Sequence, residues 1–314
     1  MAKYISARQI ALTAVFAALS VIVSKVVPGI PIIGASGSKI SFDASLAPVY
    51  GIVIGPYLGF MAALIGGLAA AGSLFTILTS FCTAVSAFVA GMLTRKRVYG
   101  QLSGGWAFSA IVLGALIAGW YATDVGRQAP YYPIPHITGL LIILLARNWI
   151  ADRIRMEKRE IIKQVPIKEI SLESICWGVL LIIFGFTCYF AYEDLFSIIS
   201  NELSILNMLS FLAYSLLIVG VLSIIHGFFS WIRPGFITAV AMTCYCGVIA
   251  DHMLGNLIFI GMLDIVAPGL RNLPEIFMAV LPVSIIERSL FTAIGTIFGV
   301  ALLSALSKAS IIKV

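Results

Sequence analysis

Two short clusters set ionisable side chains inside otherwise apolar sequence. They are Asp251, His252 and Asn256 in ADHMLGN, and Glu287 with Arg288 in SIIERSL. A charge deep in an apolar span is costly, so it marks either a functional group or a compensating partner. His252 and Asn256 stand four residues apart and share one helix face. Such a stripe suits the floor of a ligand cavity or part of an ion path. An Asp251–Arg288 ion pair that fixes helix register is the alternative use of the same residues. Further polar groups lie near the ends of apolar runs: Lys39 and Asp43, then Asp124, Arg127, Tyr131, Tyr132 and His136, then Asp264, Arg271 and Asn272. Tyrosines in such places commonly anchor a span at the interface, and Asp43 is placed to cap or complement a helix start. His226, alone on an apolar face, reads as a hydrogen-bonded core or interface residue.

Patterns that would indicate catalysis are missing. The chain has no HExxH, no GxSxG and no GxxxxGK[ST], so it is expected to be no enzyme, and any ATP hydrolysis belongs to another subunit. Five cysteines, Cys82, Cys176, Cys188, Cys244 and Cys246, all sit in apolar stretches without CxxC or Cys/His spacing. They read as small apolar core residues, and neither a metal site nor a cofactor is expected.

The elements that position these residues follow from composition. Of the 314 residues 61% are hydrophobic and 11% charged, with a mean hydropathy of +1.06, too few charges to coat a soluble globule. The expected fold is all-α, a polytopic integral membrane helix bundle in the cell membrane. A span takes about 20 apolar residues. That rule, with Gly/Pro breaks and charge clusters, gives ten segments near 6–27, a short pair within 45–71 hinged at Gly55-Pro56, 74–93, 105–122, 135–152, 174–192, 205–231, 234–263 and 275–306. The first is too long for a cleaved signal sequence and is expected to be retained. Between the sixth and seventh lies a charged linker, 153–173, an expected interfacial amphipathic helix broken by Pro166.

Ten segments put both termini on the cytoplasmic side. Fifteen Lys and Arg then lie inside: Lys3, Arg8, Arg95, Lys96, Arg97, seven between Arg147 and Lys168, Arg233, Lys308 and Lys313. Only Lys25, Lys39, Arg127 and Arg271 fall outside, which satisfies the positive-inside rule. The +6 net charge is therefore topological, and no nucleic-acid partner is expected. In this topology both ionisable clusters sit about 12 residues, roughly 18 Å, below the outer surface. They face each other if the ninth and tenth segments are neighbours. Small residues recur four apart at Ala7/Ala11, Ala14/Ala18, Gly51/Gly55 and Gly55/Gly59, a spacing that serves close helix packing or a docking face.

The opening ARQIALTAVFAALSVIVSKVV, then ISFDASLAPVYGIVIGPYLGFMAALIGGL with Phe42, Asp43, Pro48, Gly55, Pro56 and Gly59, resembles the substrate-binding S components of energy-coupling-factor (ECF) transporters. The stretch from HMLGNLIFI through LPVSIIERSLFTAIGTIFGVALLSAL resembles that family's last two helices. The resemblance covers about 5–97 and 234–307 and divides the chain into a core N-terminal half, 1–97, inserted helices, 98–232, and a core C-terminal half, 233–314. It implies capture of a vitamin or related micronutrient from outside. The expected partners are a transmembrane coupling subunit and paired ATPases. The family's coupling motif falls on Ala14 and Ala18, with Ala7 and Ala11 as an alternative register. Ligand is expected to enter beneath Lys39–Asp43 and rest above Asp251, His252, Asn256, Glu287 and Arg288. The nickel and cobalt branch is disfavoured, because no early histidine is present. Two other readings compete: a proton- or ion-coupled secondary transporter that needs no ATPase, and an intramembrane enzyme using His252 with Asp251 or Glu287.

Overall fold

The computed structural model describes residues 6–27, 30–31, 39–96, 104–162, 178–179, 182, 220–221, 224 and 234–308. Helix α1, Ala7–Val26, starts at a capping box in which Ser6 and Gln9 satisfy each other's backbone N–H groups. A two-residue antiparallel pairing follows, Ile30–Pro31 (β1) with Lys39–Ile40 (β2). Then come α2 (Asp43–Ile54), α3 (Pro56–Ala70), α4 (Leu74–Leu93), α5 (Gly105–Ala122), the short α6 (Asp124–Gln128) and α7 (Ile134–Ile162). After 163–233 the order ends with α8 (Pro234–Gly261), the four-residue α9 (Leu263–Val266) and α10 (Leu273–Lys308).

The hinge expected at Gly55-Pro56 divides α2 from α3. Gly55 has φ 93° and ψ 170°, a region that essentially only glycine occupies. Pro56 takes the first position of α3, where its missing N–H is no loss. The chain reverses there, and α3 runs back against α4 and α1. Gly51 lies directly against the Ala87 carbonyl, and a Cβ on Gly59 or on Gly91 would sit 2.6 Å from Gly51 Cα or Pro56 Cα, respectively. The small residues of 51–59 are thus used to bring α2, α3 and α4 together within the chain. Ser73 and Thr76 form a second capping box, which starts α4.

α8 lies at the centre, in contact with α2, α4, α5, α7 and α10. Two of its ties are to the backbone of α7: Tyr245 Oη donates to Pro135 O at 2.8 Å, and Cys246 Sγ reaches Gly139 O at 3.6 Å. At the end where α4 finishes and α5 begins, Gly105 N donates to Arg95 O at 2.8 Å and Lys96 pairs with Asp152 at 2.9 Å.

Among the described residues six helices are long and apolar enough to cross a membrane: α1, α4, α5, α7, α8 and α10. α2 and α3 are shorter apolar helices. Ile10, Val15, Ile22, Ile111, Leu145 and Phe298 stand exposed on the outside of the bundle, a surface suited to acyl chains rather than water. Segments 174–192 and 205–231 of the ten expected lie outside the described residues, apart from a few helical positions. There a Cβ on Gly178 would stand 2.6 Å from Gly220 O, so the two backbones touch. His226, Cys176, Cys188 and Pro166 also lie outside the described residues.

One boundary differs from expectation. The sixth segment does not stop near Asp152 but continues helically to Ile162, taking in the first part of the charged linker. The reason is local: ADRIRMEKREII holds strong helix formers and neither Gly nor Pro. The helix changes direction at Arg147, φ 37°, whose Nε donates to Leu144 O at 2.9 Å and whose guanidinium stacks over Trp106.

Candidate functional site

A cavity of about 500 Å³ lies at one end of the bundle. Its lining comes from matching ends of the helices: Ser24 of α1, Asp43 of α2, the α3–α4 turn, Tyr132 before α7, the last third of α8 and the first half of α10. Asp43, Asp251, His252, Asn256, Glu287 and Arg288 all line it. Lys39 lies in β2, two residues before the cavity-lining Ser41. Ala14 and Ala18 are remote from the cavity, exposed on α1 together with Ala7 and Ala11.

The two ionisable clusters meet because α8 and α10 are neighbours. Arg288, 3% exposed, places Nη2 3.1 Å from Glu287 Oε2 and Nη1 3.9 Å from Asp251 Oδ2, and its guanidinium lies over the Phe291 ring. The longer of these is an ion pair without a hydrogen bond. Asp251 accepts no hydrogen bond among the described residues, and Arg288 Nε is buried without a partner. Asp43 is different. It is the first residue of α2, buried rather than a surface cap, and accepts from Ser20 Oγ at 2.7 Å and Tyr50 Oη at 3.1 Å. Tyr50 is held by stacking on Phe16 of α1, ring centroids 5.0 Å apart.

His252 sits at the junction of a second network. Its Nδ1 is 3.2 Å from His136 Nε2, and its Nε2 is 3.2 Å from Tyr132 Oη and 3.1 Å from Ser284 Oγ. Asn256 Nδ2 donates to Tyr132 Oη at 3.2 Å. Tyr132 owes its position to an aromatic trio: its ring stacks on Trp120 at 4.8 Å and meets Phe277 edge-on at 4.9 Å. Trp120 Nε1 in turn donates to Ala129 O at 3.4 Å, fixing the 129–133 turn. Burial pushes the Tyr132 phenol up to about 12, so it stays protonated as a donor.

The sequence reading placed Tyr132 and His136 with the outer loop polar groups and did not join them to the site; the structure buries both beside His252. Tyr131 is exposed, in line with the anchor role, whereas Tyr132 is 1% exposed. A third wall was also missed. Ser73 at the start of α4, and Thr76, Thr79, Ser80 and Thr83 along it, line the cavity together with Cys82. Their spacing of three and four is a helical stripe readable in the sequence. Phe75, Phe259 and Phe277 make the apolar side.

Among the described residues no three His, Cys, Asp or Glu side chains gather to hold a metal ion. No family model matches the chain and no solved structure matches it. An uncharacterized protein of Methanocaldococcus jannaschii is 34% identical over 116 residues, which is 37% of this chain and 38% of that relative's length.

Proposed function

We propose that the chain is the substrate-binding membrane subunit of an ATP-driven uptake transporter of the ECF type, serving a vitamin or related small micronutrient and performing no catalysis itself. The observation that carries this reading is the cavity. It has the size of a small-molecule site, about 300–1,000 Å³, and pairs an apolar aromatic side with a few convergent polar groups. With the N-terminus inside, the cavity end faces outward, the side from which an uptake substrate arrives. Partners would be a transmembrane coupling subunit and paired ATPases.

The exposed Ala7, Ala11, Ala14 and Ala18 face supports docking on α1, since small residues admit close backbone approach. Replacing Ala14→Leu and Ala18→Leu together keeps that face apolar and fills the groove. Uptake is expected to fall to background while ligand binding to the purified chain is unchanged. Wild-type uptake by the double variant would remove the docking assignment. The alternative reading, a self-contained secondary transporter, rests on the same intramembrane Asp251 and Glu287 acting as proton carriers.

A further inference from the structure

We propose that the cavity takes a compact zwitterion of the amino-acid type, an anionic group and a cationic nitrogen a few atoms apart, carried on a flat apolar body. The inference rests on the reading of the cavity as a substrate site and narrows the class of its ligand. Two buried groups of opposite charge stand side by side, each incomplete. Asp251 is 7% exposed and accepts no hydrogen bond among the described residues. Arg288 is 3% exposed, and its buried Nε has no partner among the described residues. They are too far apart to hydrogen-bond each other, at 3.9 Å.

The other two candidate charges do not compete for the ligand in the same way. Asp43 already accepts two hydroxyl donors, and Glu287 is engaged with Arg288 Nη2. His252 is taken up by His136, Tyr132 and Ser284. The two groups of opposite charge left short of hydrogen-bond partners among the described residues are therefore Asp251 and Arg288, adjacent in space.

The α4 wall sets the polarity around them. Thr79, Ser80 and Thr83 donate their hydroxyl protons to carbonyls of their own helix, at 3.3, 2.8 and 3.1 Å. What they present to the cavity is lone pairs, which favour a ligand bearing N–H donors. A bare anion on Arg288 would lie against Asp251 and Glu287. A bare cation at Asp251 would lie against the Arg288 guanidinium. A zwitterion avoids both, with its carboxylate on Arg288, its ammonium between Asp251 and the α4 hydroxyls, and its body against Phe259 and Phe277.

The test uses the full chain, purified in mild detergent, and follows its thermal unfolding with four compounds of one body at equal millimolar concentration: phenylalanine, phenethylamine, 3-phenylpropionate and 3-phenylpropanol. Phenylalanine is expected to raise the unfolding temperature and each of the others to do so far less. Arg288→Lys keeps the charge and loses the planar fork. With it, or with Thr79→Val plus Thr83→Val, the apparent affinity for phenylalanine is expected to fall about tenfold or more. A shift from phenethylamine or 3-phenylpropionate equal to that from phenylalanine overturns the proposal, as does no response to any of the four. A single-charge compound that binds, and loses binding in these variants, would end the zwitterion assignment while leaving a substrate-binding subunit intact. Loss of that parent reading would appear separately, as a chain that associates with no ATPase.

Discussion

At the scale of single residues, what separates structural polar groups from ligand groups is whether their hydrogen bonds are complete. Asp43 is complete: Ser20 and Tyr50 fill it, and the trio ties α1 to α2. Tyr50→Phe removes one donor and leaves the carboxylate short of a partner, which costs about 1–3 kcal/mol. The expected outcome is a lower unfolding temperature in detergent, with the response to a saturating ligand retained; an unchanged unfolding temperature would show that the carboxylate does not depend on Tyr50. Asp251 and Arg288 are incomplete, and that is why they and not Asp43 carry the ligand proposal. The sequence made Asp251, His252, Glu287 and Arg288 legible because charges inside apolar runs have few explanations. Tyr132 and His136 were less so. An aromatic beside a span end fits an interfacial anchor equally well, and only the stacking of Trp120 and Phe277 turns Tyr132 inward.

At the scale of elements, apolar length and punctuation carried most of the information. The bounds of α4 and α5 coincide with the expected segments, and the Gly55-Pro56 hinge divides α2 from α3 where the dipeptide stands. A helix is expected in the charged linker, but as a separate interfacial element; the linker's first part instead continues α7 to Ile162, because charge ends an apolar run without ending a helix. Gly51 and Gly59 show the same ambiguity in packing: their four-residue spacing about Gly55 suits a partner face, yet they serve contacts inside the chain. The exposed alanines of α1 have no such internal use, which is the reason the docking variants target them. The hinge itself is testable. Gly55→Ala would place a side chain at φ 93°, against the Arg95 guanidinium, with a backbone cost of about 1–3 kcal/mol. A depressed unfolding temperature is expected, and a wild-type value would mean that α2 and α3 meet in a different geometry.

At the scale of the whole molecule, the six long apolar helices and the α2–α3 reversal among the described residues build a bundle with a cavity at one end, and the sequence has no GxxxxGK[ST] motif to serve as the energy source of the proposed uptake. The central claim is that this source is borrowed. The direct measurement is mild-detergent purification of the tagged chain from its own membranes, followed by mass spectrometry of what accompanies it. The account predicts two Walker-type ATPases and a second polytopic subunit in comparable amounts, released when Ala14→Leu and Ala18→Leu are introduced. A chain that comes away alone at every detergent strength, from cells whose uptake follows the proton gradient, would contradict it and favour the secondary transporter.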